Sequence, residues 1–206
     1  MRRAEAAAGT RRAILAAALE LFREEGYRHA TLVKIAARAS VSVNAVYSSV
    51  GAKPQLLVQL VAEVTADPTI RAAVDALDDF ASGSAILRAL ANGTRRVLEQ
   101  HDWLLSELYD NAASDGQIYE AIVVAEAAYS RRVALVGARL AERGVLRRDI
   151  TGDRATAMLR FHFSYSPWRE LRNAGWTWPD AEEWLLDQAG HALIDPEDSI
   201  TRCEPG

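Results

Sequence analysis

The 206 residues include a single cysteine, Cys203, and six prolines, and only 7% are aromatic. One thiol excludes an intramolecular disulfide, and no motif surrounds Cys203 that would make it a nucleophile. No apolar run approaches the roughly 20 residues of a membrane span. The opening stretch MRRAEAAAGTRRAIL carries no apolar core long enough for a signal peptide, so a cytoplasmic location is expected. The four histidines, at 29, 101, 162 and 191, form no HExxH pair, and there is no Gly-rich phosphate loop or nucleophile elbow. His101 and Asp102 are neighbours in sequence, but consecutive helical residues do not face each other. These absences point away from an enzyme and away from a metal or cofactor.

What is present is helix. Ala, Leu, Arg and Glu are abundant, and apolar residues recur at helical rather than strand spacing. The net charge of −4 is unevenly spread. Residues 1–55 hold nine Lys/Arg against four Asp/Glu, a net of +5, and residues 56–206 hold fifteen against twenty-four, a net of −9. A basic head on an acidic body suggests a polyanion partner for the head alone.

Within the head, Thr10 is a candidate N-cap for a first helix whose buried face is Ile14, Ala18, Leu21 and Phe22, with Gly26 as its stop. Thr31 and Ser42 cap two further short helices joined by a turn at Ser40-Val41; Gly51 ends the third, and Pro54 suits the first turn of a fourth that begins at Lys53. Two short helices around a tight turn make a helix-turn-helix, which offers its second helix to the DNA major groove. Ile35, Ala36, Val41 and Val46 supply the small core. Ser42, Val43, Asn44 and Ala45 fall at the exposed end of the third helix. Asn pairs bidentately with adenine, and small apolar side chains touch a thymine methyl. Thr31, Ser42, Val43, Asn44, Ala45, Tyr47, Ser48 and Lys53 are therefore the expected DNA-binding residues, with Lys53 on a phosphate and Arg2, Arg3, Arg11 and Arg12 as a basic arm.

Over about 47 residues the head resembles the tetracycline-repressor (TetR) family of bacterial transcription regulators. The resemblance is carried by Thr10-Arg11, Ile14-Leu15, Ala17-Ala18, Leu21-Phe22, Glu25-Gly26-Tyr27, Thr31, Ile35-Ala36, Ala39, Val41-Ser42, Val46-Tyr47, and Lys53 with Leu56. Ser40 departs from the family's usual turn glycine, Val50 from a usual Phe, Ala52 from a polar residue and Pro54 from an acidic or polar one. The stretch Gly175-Trp176-Thr177 with Ala181 to Leu185 is similar to the last-helix region of many members. The resemblance implies an all-α fold: a three-helix DNA-binding head over residues 1–53, then a helical ligand-binding and dimerisation body over 54–206. It also implies a homodimer released from a palindromic DNA operator by a small-molecule effector. Further helices are expected near 54–65, 69–80, 84–100, 103–112, 116–143, 153–173 and 179–194.

In the body, Met158, Phe161, Tyr165 and Trp168 share one helical stripe, and Pro167 should kink that helix and free the carbonyl of Phe163. The stripe is either core or a pocket wall. Trp103, Tyr109, Tyr129, Met158, Phe161, His162 and Tyr165 are the candidate ligand-pocket residues, with Tyr119 a further one, and the ligand is expected to be apolar or aromatic. In the last helix Trp184, Leu185, Gln188 and Ala192 lie along one face and are the candidate dimer contacts, beside a second apolar face of Leu186, Ala189 and Leu193. The main expectation is a ligand-responsive repressor. The alternative is a helical small-molecule-binding protein with little or no specific DNA binding, supported by Ser40 in the turn.

Overall fold

The computed structural model describes residues 2–65, 76–80 and 82–196. Its helices are α1 (Arg2–His29), α2 (Leu32–Arg38), α3 (Val43–Val50), α4 (Lys53–Thr65), α5 (Gly83–Asn111), α6 (Gly116–Glu142), α7 (Gly152–Phe163), α8 (Tyr165–Asn173) and α9 (Trp178–Leu193), with a 3₁₀ turn at Ala76–Asp79. The fold is all-α, as expected. Most of the expected helix at 69–80, the tail and Cys203 lie outside the described residues, as do the side chains of Arg2 and Arg3.

The described helices group into two compact units: Met1–Ala66 with His101–Glu126, and Asp67–Gln100 with Ala127–Gly206. The first unit has a continuous core in which Ile14, Ala18, Leu21 and Phe22 of α1 meet Ile35 and Ala36 of α2 and Val46 and Val50 of α3. Leu56, Leu57 and Leu60 of α4, Leu104 and Leu108 of α5 and Ile118 of α6 complete it. In the second unit the buried residues include Ala155, Leu159, Phe163, Tyr165, Trp168, Ala181, Leu185, Ala189 and Leu193. There Gly137 of α6 lies so close to α7 that a Cβ would stand 3.0 Å from the Gly152 carbonyl.

The caps of α2 and α3 form as expected: the Thr31 hydroxyl accepts from the Lys34 amide at 3.3 Å, and that of Ser42 from the Ala45 amide at 3.1 Å. Thr10 is not a cap. α1 starts upstream of it, because the Ala-rich opening continues the helix, and the Thr10 hydroxyl donates to the Ala6 carbonyl instead. Gly26 interrupts α1 with φ 78 and ψ 160, a backbone open only to glycine, and one helical turn follows it to His29. The break expected near residues 100–103 is absent, since no Gly or Pro stands there and α5 runs through. The expected helix 153–173 is two helices. Ser164 is extended at φ −69 and ψ 168, so Pro167 sits in the first turn of α8, where its missing N–H is harmless, and the chain breaks rather than kinks.

One departure from the family pattern is compensated nearby and another is accommodated at a cost. Ala52 cannot cap α4 through its side chain, but the Gln55 side-chain oxygen accepts the Ala52 amide at 2.9 Å. Ser40 takes the left-handed backbone at φ 55, and the turn still closes, with Val41 N–H on the Ala36 carbonyl at 3.0 Å. That backbone disfavours an L-residue by about 1–2 kcal/mol, and Gly gives back part of this through its looser unfolded chain. Ser40→Gly is therefore expected to stabilise the protein by about 1 kcal/mol in urea denaturation; an unchanged or lower midpoint would show that the turn carries no strain.

Candidate nucleic-acid interface

Burial of Val46 and Val50 fixes the rotation of α3 about its axis. Ser42, Asn44, Tyr47 and Ser48 consequently face solvent, and Val43 and Ala45 are half-buried at the rim. Tyr47 is 54% exposed, so its ring stands out from the head rather than packing into it. The Ser48 hydroxyl donates to the Ala45 carbonyl at 3.2 Å, which leaves its lone pairs as acceptors. Thr31 lies exposed just ahead of the first turn of α2. Beside it stands Val33, 64% exposed, which the sequence reading passed over. Its signal was available: Leu32, Ile35, Ala36 and Ala39 mark the inward phase of α2, and position 33 falls outside it.

The head's positive charge is less available than its sum suggests. Lys34 pairs with Glu25 at 2.6 Å; Arg38 pairs with Glu24 at 2.8 Å and approaches Glu20 at 3.7 Å. Both cations of α2 are thus turned back onto α1. The guanidinium of Arg23 lies 5.5 Å from the centre of the Trp103 ring. Lys53, expected on a phosphate, donates to the carbonyls of Tyr27 at 2.5 Å, Ala30 at 3.1 Å and Arg28 at 3.3 Å, and sits 4.3 Å from the centre of the Tyr27 ring. Burial lowers the Lys53 ammonium below the usual lysine range, and the charge of Glu107 opposes that shift. Arg11, Arg12 and Arg28 are exposed.

Glu107 was not anticipated. It projects from α5 in the first unit, and its carboxylate accepts the Tyr27 amide at 3.1 Å. That amide is open because Gly26 leaves the helical path, and a Cβ on Gly26 would come 3.2 Å from the same carboxylate oxygen. Asn111, buried one turn further along α5, donates to the Glu107 carbonyl at 2.7 Å and to its carboxylate at 3.3 Å. The Tyr27 ring packs on Phe22 with centroids 5.4 Å apart, and its hydroxyl is pushed up to about 12 by burial, with Asp115 and Glu107 adding to the shift. Only the pairing of residues 80 positions apart defines this node, and single-sequence periodicity carries no such information.

The expected ligand-pocket residues are not assembled in one place. Trp103 and Tyr109 pack against the core of the first unit, and the Tyr109 hydroxyl donates to Glu126 at 2.8 Å. Tyr129, Met158, Phe161, His162 and Tyr165 belong to the second unit. There the Tyr129 hydroxyl donates to the Phe163 carbonyl at 2.8 Å, so the carbonyl expected to be freed is both free of the helix and satisfied. Burial raises Tyr129 far above the usual tyrosine range; a hydrogen bond with Thr94 acts against this. Tyr165 is buried, His162 bonds the Met158 carbonyl at 2.7 Å, and Phe161 is 74% exposed. An open cleft of about 640 Å³ in this unit is lined by other residues, Phe80, Arg88, Asn92 and Glu182 among them. Of the expected dimer contacts, Trp184 is 43% exposed and meets Trp176 edge-on at 6.0 Å, and Gln188 and Ala192 are half-buried. Leu185 points inward, because it continues the four-residue spacing of Ala181, Ala189 and Leu193.

A helix-turn-helix with its second helix exposed, followed by further helices, is the arrangement of a DNA-binding transcriptional regulator. Residues 14–60 match the family described as bacterial regulatory proteins, tetR family. The chain carries that family's head, and the resemblance drawn from its motifs holds. Among solved structures it is similar to NalD of Pseudomonas aeruginosa, the secondary repressor of the MexAB-OprM multidrug efflux pump. Identity is 24% and the TM-score 0.67, over 92% of this chain and 99% of that one. SmeT, the repressor of the Stenotrophomonas maltophilia efflux pump SmeDEF, is 20% identical with a TM-score of 0.70, over 95% and 96%. FadR of Bacillus subtilis, solved in complex with stearoyl-CoA, is 16% identical with a TM-score of 0.70, over 87% and 97%. No curated protein matches the chain.

Removing the Glu107 carboxylate leaves the Tyr27 amide without its partner at the Gly26 break. Glu107→Ala is expected to destabilise the protein by about 1.5–3 kcal/mol, the range for a hydrogen bond to a charged group, and Glu107→Gln by less, since an amide oxygen still accepts. Urea denaturation with amide exchange at Tyr27 reads both; equal losses for Ala and Gln, or fast exchange at Tyr27 in the wild type, would contradict the assignment.

Proposed function

We propose that the protein is a homodimeric, ligand-responsive repressor that binds a palindromic operator through residues 1–53 and is released by a small molecule bound by residues 54–206. The observation that supports this most strongly is the exposed face of α3, Ser42, Asn44, Tyr47 and Ser48, held on a fully buried three-helix core. Thr31, Val43, Ala45 and Lys53 complete the proposed DNA-binding set. Lys53 acts there mainly by holding the end of α1, through three carbonyls, in place beside the start of α4. The role is regulatory rather than catalytic. No described helix is long and apolar enough to cross a membrane, in keeping with work on DNA in the cytoplasm.

Two copies are needed because one eight-residue helix reads too few base pairs, and a two-fold dimer places two such helices about one DNA turn apart. The exposed Trp184, with Trp176 beside it, and the flanking Gln188 and Ala192 are the proposed contact. Leu185 would support this face from within. The effector shifts the equilibrium between DNA-competent and DNA-incompetent states only by its different affinity for the two. Tyr129, Met158, Phe161, His162 and Tyr165 are the proposed pocket residues of the second unit, and Trp103 and Tyr109 are separate candidates within the first; an apolar or aromatic effector suits each group. Ser40, the feature that favoured a non-functional head, lies in a closed turn and gives no support to that alternative.

Sheared bacterial genomic DNA retained on the immobilised protein and then sequenced tests the reading. A small set of fragments sharing an inverted repeat is expected, with affinity falling steeply as salt rises. Retention that is uniform across fragments, or absent, would contradict it. Sedimentation equilibrium is expected to give twice the chain mass, and Trp184→Glu to give a monomer with weakened operator binding; a Trp184→Glu dimer would move the interface elsewhere.

A further inference from the structure

We propose that the operator half-site is A·T at the base pairs α3 contacts in the major groove, read as adenine by Asn44 and as thymine methyl groups by Val43 and Val33, with no guanine contact. This rests on the DNA-binding reading above and adds the chemistry of the site.

The composition of the reading face favours A·T pairs. Each base pair shows a distinct pattern in the major groove, and guanine, with its two acceptors O6 and N7, is read by bidentate Arg or Lys. α3, VNAVYSSV, holds no charged residue. The cations of the preceding helix are turned away: Lys34 is on Glu25 and Arg38 on Glu24, both carboxylates of α1. Lys53, just beyond α3, is engaged by three carbonyls. The exposed cations Arg11, Arg12 and Arg28 lie on α1, not on α3.

What α3 and the start of α2 do present matches the A·T pair. Asn44 is exposed at the second position of α3 and can donate to adenine N7 and accept from its N6 amino group. Val33, 64% exposed, and the rim residue Val43 offer methyl groups that gain from contact with the thymine C5-methyl and nothing from a cytosine. The Ser48 hydroxyl donates to the Ala45 carbonyl, and so oriented its oxygen accepts from the amino group of adenine or of cytosine; the choice of A·T rests on Asn44 and the valines.

Duplexes selected by the full-length protein from a random pool, then resynthesised with base analogues, test this. The expected half-site is an A·T core. Uracil in place of a contacted thymine, which removes only the methyl group, is expected to weaken binding about fourfold per site. 7-Deazaguanine in place of guanine within the half-site, which removes N7, is expected to change nothing. Asn44→Ala is expected to lose about 5- to 150-fold of the preference for adenine at one position per half-site. Asn44→Arg should move the enriched base there from adenine to guanine, and Asn44→Gln, which has the same donor and acceptor, should keep adenine. An enriched inverted repeat with G·C at the contacted positions, weakened by 7-deazaguanine and indifferent to uracil, would overturn the inference and leave the regulator reading standing. A pool that shows no enrichment would overturn both.

Discussion

The head is held together at the point where α1 stops being a helix. Gly26 turns the backbone into a region closed to other residues, and the amide of Tyr27 would otherwise be left without a partner in a half-buried setting. Glu107 of α5 accepts it, and Lys53 closes the other side by donating to the carbonyls of Tyr27, Arg28 and Ala30. One carboxylate and one ammonium therefore satisfy the orphaned groups on both faces of a single break. The orientation of α2, and of α3 packed on it, follows from where α1 ends. A displacement there would move every side chain of the reading face together.

That use of charge explains how an acidic chain can present a DNA-reading surface with so few free cations. Of the head's lysines and arginines, Lys34, Arg38 and Lys53 act within the protein. Surface ion pairs of this kind are worth little individually, yet they set the direction in which each side chain points. What remains for the groove is an uncharged helix of Asn, Ser, Tyr and Val. On the proposed reading, specificity falls to shape, methyl contacts and one amide, and affinity to two such helices acting together in a dimer.

Much of this was legible in the sequence, and for local reasons. The caps Thr31 and Ser42, the stops Gly26 and Gly51 and the four-residue spacing of the inward faces depend on residues within one or two turns of each other. The strained turn at Ser40 and the freed Phe163 carbonyl were foreseeable because a Ser in a usual glycine position and a proline in a helix have fixed backbone consequences. The unread features depend on distance. Glu107 meets Tyr27 from 80 residues away, Gln55 replaces the missing cap of Ala52 by reaching back, and Tyr129 takes the Phe163 carbonyl from another helix. Thr10 and Pro167 were misread for a different reason. An Ala-rich start extends a helix past any cap signal, and a Ser-Tyr-Ser-Pro stretch allows a clean restart where a kink was expected. The aromatic stripe failed as a single face because its helix breaks in the middle.

The most direct test of the account is amide hydrogen exchange of the full-length protein with and without a selected duplex. The account predicts that the Tyr27 amide exchanges slowly in both states, being held by Glu107. It also predicts that DNA slows exchange at residues 42–48 and at the start of α2 near Thr31. Rapid exchange at Tyr27 in the free protein, or DNA protection that spares α3 and falls elsewhere, would contradict it.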